Sequence, residues 1–171
     1  MPSEEEQMSK ALVRIFENVV LTEEKSLQAG YFKDLSIAEM HTLTAIGPYE
    51  ARTMTNTAED LGITTGTLTV AIDRLVKKGY VHRERDKRDK RIVRISLTHT
   101  GKLACRMHSK FQRVLAKHIL AGYDEKDRKH LINLVDEIDK YVEQQLKRYD
   151  SSENIRATAS QVAQDAIKEK N

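Results

Sequence analysis

Apolar residues return at helical spacing in four long stretches of the chain and alternate in one short one. From Met8 to about Gln28 they stand at Met8, Leu12, Ile15, Phe16, Val19, Val20 and Leu27, with Gly30 just beyond. This predicts a first helix with a wide apolar face. The face is wider than one small core usually covers, so part of it is expected to meet a second chain. Ser36 and Glu39 have the reciprocal spacing of a capping box, which predicts a helix from there to Ile46, stopped by Gly47-Pro48. Thr53 to Asp60 reads as a short polar helix, and Leu61-Gly62-Ile63 as a turn. Leu68, Ala71, Ile72, Leu75 and Val76 form the next buried stripe, with Thr64 or Thr65 as its cap. Lys77, Lys78 and Gly79 give that helix its stop, cations at the negative end and then a residue free to turn left-handed. Val93, Ile95 and Leu97 have the period of two, and Tyr80 to Arg85 has strand-like composition, so a two-stranded ribbon follows. Thr98 or Thr100 caps a helix with Leu103, Met107, Phe111, Val114, Leu115 and Ile119 on one face, closed by Gly122. Asp124 caps a last long helix striped by Leu131, Leu134, Val135, Ile138, Tyr141, Val142 and Leu146.

This order predicts a mainly α protein (α+β by strict count). A winged helix-turn-helix is expected between long N- and C-terminal helices that form an intertwined dimer. The expected organisation is a dimerisation helix over 1–35, the winged helix-turn-helix over 36–99, dimerisation helices over 100–147, and a tail over 148–171. The tail's apolar residues are few and small, which suits a marginal helix or a disordered segment.

Charge sharpens the picture. From Arg74 to Arg94 there are ten basic and three acidic residues, +7, where the whole chain carries +3, so the rest carries −4. A solvated surface would explain the charge, but not its placement on a helix followed by a hairpin. A basic helix face beside a basic hairpin suits duplex DNA. On the helix, Thr65, Thr67, Thr69 and Arg74 are the candidates for the major groove. On the wing, Arg85, Lys87, Arg88 and Arg91 are the candidates for the backbone and the minor groove. Asp89, acidic on the DNA side, is expected to orient a wing arginine, Arg91 above all. Two recognition helices about 34 Å apart would ask for an imperfectly palindromic duplex.

Other chemistries find little support. No Gly-rich phosphate loop, nucleophile elbow or acid pair in an apolar run is present, so catalysis is not expected. Cys105 is the one cysteine, which fits a reducing cytoplasm, and no apolar run reaches membrane-spanning length. Of the six histidines, His108 lies three residues from Cys105, and His118 follows on the same helix. Two ligands do not make a site, so neither a metal nor a cofactor is expected.

Asp89-Lys90-Arg91 followed by Leu97-Thr98-His99-Thr100-Gly101, with the helix end Leu75 to Tyr80, resembles the MarR family of transcription regulators. The likeness runs from about Met8 to Leu146. Within that family, Phe32 to Thr42 (FKDLSIAEMHT), Gly66 to Thr69, and Arg106 to Phe111 are similar to the FabT group of fatty-acid-synthesis repressors. The resemblance implies a homodimeric repressor of fatty-acid synthesis genes whose corepressor is acyl carrier protein bearing a long acyl chain. Phe16, Val20, Leu43, Met107 and Phe111 are the candidate walls of an acyl tunnel. A small aromatic effector is the alternative, and a low-specificity architectural DNA-binding protein a further one.

Overall fold

The computed structural model describes residues 2–149. Its order is α1 (Glu4–Ala29), α2 (Ile37–Ile46), β1 (Arg52–Thr53), α3 (Met54–Asp60), α4 (Thr65–Lys77), β2 (Val81–Arg85), β3 (Val93–Leu97), α5 (His99–Leu120) and α6 (Glu125–Tyr149). The strands form one antiparallel sheet in the order β1-β3-β2, with Arg52 opposite Ile95 and Val81 opposite Leu97. The fold is a winged helix with long helices before and after it. The tail expectation falls, from residue 150 on, outside the described residues.

Local signals set most boundaries. Ser36 and Glu39 make both bonds of the capping box, Glu39 N–H to Ser36 Oγ at 3.2 Å and Ser36 N–H to Glu39 Oε2 at 2.8 Å. Thr64 is the cap of α4, accepting from Thr67 N–H at 3.1 Å. Thr98 is the cap of α5 and Asp124 that of α6. At the end of α4, Gly79 takes φ +79°, and the N–H groups of Gly79 and Tyr80 reach back to the carbonyls of Val76 and Leu75. This left-handed stop turns the chain straight into β2.

Three sequence expectations are corrected. The sheet has three strands, not two, because the two-residue β1 is too short to show a period. Val76 is 40% exposed, since the stripe facing the core narrows to Leu68, Ile72 and Leu75. The short helix α3 is not wholly a polar surface element, because Thr57 is completely covered, its hydroxyl donating to the Thr53 carbonyl.

The core is a single cluster that draws on α2, α3, α4, the sheet and the start of α5, with Met40, Leu43, Ile46, Leu68, Ile72, Leu75 and Ile95 at its centre. Gly101 is needed there for space: a Cβ on it would lie 2.2 Å from the Tyr80 carbonyl oxygen. The same corner is sewn by Thr98, whose Oγ donates to the Gly79 carbonyl and accepts from Gly101 N–H. The threonine and glycine of the Leu97 to Gly101 motif therefore dock the first turn of α5 on the start of the hairpin.

By compactness the chain divides in two after Val114, inside α5. In the first unit, α1 leaves Met8, Leu12, Val13, Ile15, Phe16 and Val19 exposed. In the second, α6 leaves Leu134, Val135, Ile138, Tyr141, Val142 and Leu146 exposed. No described helix is long and apolar enough to cross a membrane.

Candidate nucleic-acid interface

α3 and α4 make the helix-turn-helix, and α4 carries the candidate major-groove residues. Thr65, Thr67 and Arg74 are exposed on it, and Thr69 is half-buried. The threonine hydroxyls differ in what they already hold. Thr67 Oγ pairs with Thr64 Oγ at 2.9 Å, and Thr69 Oγ donates to the Thr65 carbonyl at 2.7 Å. Thr65 alone of the three has a hydroxyl without a partner among the described residues. Thr69, whose hydroxyl proton is spent on the Thr65 carbonyl, thus offers lone pairs and a methyl group, while Thr65 can also donate.

The wing tip is built by two aspartates that turn inward. Asp86 accepts from the backbone N–H groups of Arg88 at 2.8 Å and Asp89 at 3.2 Å, and pairs with the Arg94 guanidinium. Those three donors hold its carboxyl down to about 2, with the Arg94 bond the strongest. Asp89 accepts from Arg91 N–H at 2.9 Å. Asp89 therefore engages Arg91 at its backbone N–H. With both acids engaged in the loop, Lys87, Arg88, Lys90 and Arg91 stand exposed around its outside, and Arg85 is exposed at the end of β2. Asp86 and Arg94 are the organising pair that the sequence reading missed; their pairing across the hairpin was readable only once its register was known.

Not every cation of the basic stretch is available to a polyanion. Arg83 binds Asp73 at 2.7 Å and Arg94 binds Asp86. Lys78 reaches Glu39 at 2.7 Å and also donates to the Asp34 carbonyl. Burial pushes the Glu39 carboxyl up, but the Lys78 ammonium and the Ser36 N–H and hydroxyl pull it down further, leaving it below its ordinary value. Tyr80 donates to Asp34 at 2.8 Å, and its phenol is pushed up to about 12 by burial, by that bond and by the nearby acids. Lys78 and Tyr80 thus belong to the joint between α2 and the end of α4. Arg74, Lys77, Arg85, Lys87, Arg88, Lys90 and Arg91 have no ion-pair partner among the described residues. These seven outline one helix face and one loop tip.

A separate cavity of about 330 Å³ opens between α1, α2 and α5, walled by Leu27, Phe32, Met40, Met107, Phe111 and Val114. Of the five candidate acyl-tunnel residues, only Met107 and Phe111 line it. Leu43 is wholly buried in the winged-helix core, Phe16 is 72% exposed, and neither Phe16 nor Val20 reaches the cavity. Glu23 and His108 also line the cavity. With His41 they form a cluster of potential metal ligands drawn from three helices, a grouping that spacing along the sequence does not reveal. Cys105 takes no part in it; its thiol is buried and pushed up by that burial. Burial also lowers His108, with the Glu23 charge opposing and His41 adding to the shift.

Comparison with known proteins bears on this arrangement. The model of the MarR family matches residues 35–93, from the approach to α2 through the wing tip to the first residue of β3. The crystal structure of Streptococcus pneumoniae FabT in complex with DNA superposes with a TM-score of 0.78 at 32% identity, covering 82% of this chain and 99% of that one. The chain belongs to the MarR family. Another solved structure, the transcriptional regulator BldR from Sulfolobus solfataricus, shares the fold at 24% identity and a TM-score of 0.62, with 82% of this chain and 96% of that one covered. Among curated proteins, an uncharacterized HTH-type transcriptional regulator, YhjH of Bacillus subtilis (strain 168), is 26% identical over 98 residues. That match takes in 57% of this chain and 56% of the relative's length. The MarR match falls on the part of the chain that carries the capping box, the helix-turn-helix and the wing loop.

Proposed function

We propose that the protein is a homodimeric, DNA-binding transcription regulator that represses fatty-acid synthesis genes in the cytoplasm. Acyl carrier protein bearing a long acyl chain is its corepressor. The observation that carries this reading is the likeness to FabT, solved with DNA, over 99% of that chain, together with the seven cations on α4 and the wing that have no ion-pair partner among the described residues. α4 enters the major groove with Thr65, Thr67, Thr69 and Arg74. The wing follows the backbone into the minor groove with Arg85, Lys87, Arg88 and Arg91, and Asp89 fixes the loop that carries Arg91. A regulator of this kind makes and breaks no covalent bond.

Two copies are supported by the apolar faces of α1 and α6, each uncovered in a single chain. An imperfect palindrome with half-sites about 34 Å apart follows from that symmetry. The effector half of the proposal is supported by the cavity between α1, α2 and α5. At about 330 Å³ it lies at the small end of the range of ligand sites. Its walls Met107 and Phe111 are apolar, and each methylene buried there is worth about 0.8 kcal/mol. Methionine is adaptable enough to yield to a chain longer than the resting cavity admits.

The test is a mobility-shift titration against DNA upstream of fatty-acid synthesis genes and of the protein's own gene, at fixed salt. Long-chain acylated carrier is expected to raise affinity, and unacylated carrier to leave it unchanged. Equal behaviour of the two carriers would remove the corepressor. Equal affinity for operator and random duplex would leave an architectural DNA-binding protein instead. A small aromatic ligand that fills the same cavity and alters affinity, where the carrier does not, would replace the fatty-acid reading with the other MarR-type one.

A further inference from the structure

α1 runs for 26 residues and buries only one of them, a glutamate. Glu23 is 7% exposed, and no lysine or arginine stands within ion-pair distance of it among the described residues. Its neighbours are two imidazoles and an amide. His41 Nε2, on α2, lies 3.4 Å from Glu23 Oε2, and His108 Nε2, on α5, lies 3.7 Å from Glu23 Oε1. A carboxylate withdrawn from water needs positive charge or several hydrogen bonds to offset the lost hydration. Here Gln112 donates one bond at 3.0 Å and the His41 contact is long.

We infer that Glu23, His41 and His108 form a binding site for a divalent first-row transition ion, zinc(II) first among them. Ligand atoms about 2.0–2.1 Å from a tetrahedral zinc stand about 3.3 Å from one another. One donor atom from each of the three residues lies within 4.8 Å of the other two, and each oxygen of the Glu23 carboxylate faces one imidazole, at 3.4 and 3.7 Å, so a modest closing movement brings the set onto an ion. Two imidazoles with one carboxylate suit zinc. They are too rich in nitrogen for magnesium or calcium, and without a thiolate they do not favour copper(I). Gln112 supplies the fourth place. Its Nε2 stands 3.0 Å from Glu23 Oε1 and 3.1 Å from His108 Nε2. Half a turn of that amide exchanges the nitrogen for its oxygen, a donor to a cation.

Glu23, His41 and the pair His108 and Gln112 come from three different helices, so the ion ties α1, α2 and α5 together at one point. Glu23 and His108 are also walls of the cavity, which places the ion at its wall. The site does not depend on what the cavity holds or on which genes are regulated.

The test uses the full chain, stripped with a chelator and titrated with zinc(II) against a chromophoric competitor. Cobalt(II) serves as the spectroscopic probe. One ion per chain is expected, with the ligand-field bands of a four-coordinate nitrogen and oxygen site in the cobalt form. His41 is half-exposed, so His41→Ala keeps the fold, and it is expected to weaken zinc at least about 100-fold. The near-isosteric Glu23→Gln should do the same, while His130→Ala on α6 should change nothing. A zinc-induced rise in Tm should appear in the wild type and be absent from His41→Ala. Zinc affinity equal in wild type and His41→Ala, or undiminished by Glu23→Gln, would overturn the site and leave the cluster a hydrogen-bonded joint.

Discussion

Leu68 and Ile72 on α4 are wholly covered, whereas Phe16 on α1 is 72% exposed and Leu146 on α6 is 61% exposed. All four sit on apolar stripes of the same helical spacing. The winged helix closes its core within one chain, because α2, α3, α4 and the sheet wrap each other's stripes. The long helices offer a surface whose covering lies elsewhere. Each large side chain left exposed forgoes about 1.5–3 kcal/mol of burial, so faces of six such residues ask for a second layer. Periodicity alone says which residues share a face. It does not say whether the partner face belongs to the same molecule.

Substitution can break this contrast. Leu68→Ala should cost about 3–4 kcal/mol, and Phe16→Ala under about 1, in urea unfolding at protein concentrations low enough to dissociate any dimer. Equal costs would mean that α1 is part of the closed core after all. Gly101→Ala should cost about 3 kcal/mol, because the new Cβ meets backbone at Tyr80 rather than a side chain that can swing away; unchanged unfolding would show that the α5 docking corner is looser than its geometry.

The long-helix side is probed by charge. Phe16→Asp combined with Leu146→Asp should leave the far-ultraviolet spectrum intact and convert a dimer to a monomer in sedimentation, with operator binding falling alongside. A dimer that survives would place its interface elsewhere. On the winged side, Arg88→Ala with Arg91→Ala should shift stability by under about 0.5 kcal/mol. The slope of log affinity against log salt should fall by about 2. An unchanged slope would remove the wing tip from the interface.

The smallest effect is one of pH. The folded-state carboxyl of Asp86 sits at about 2, below the ordinary aspartate value of about 3.9. Its contribution to wing order is therefore fully present above pH about 4 and is lost as pH falls toward 2. Amide exchange at Arg88 and Asp89 should accelerate over that window relative to the intrinsic rate. Loss of their protection already at pH 5–6 would mean that Asp86 does not hold the loop.

What could be read beforehand was what is written locally. Ser36 with Glu39, Thr64, Gly79 and Asp124 each act within a few residues, and each stands where its spacing placed it. β1 has two residues and no pattern. The Asp86 to Arg94 pairing depends on hairpin register. Glu23, His41 and His108 lie on three different helices, and only the packing of those helices brings them together. Leu43, a candidate acyl-tunnel wall by its apolar character, lies instead wholly buried in the core cluster of the winged helix, which composition alone does not distinguish from a cavity wall.

Lys78 answers to acceptors in the α1–α2 connection and the first turn of α2, so positions 39 and 78 work as a pair. Replacing Lys78 alone strands the buried Glu39 carboxylate, and replacing Glu39 alone takes from Lys78 its ion-pair partner. Across related genes these two sites should therefore change in step, and a chain that carries one without the other should show a compensating residue nearby.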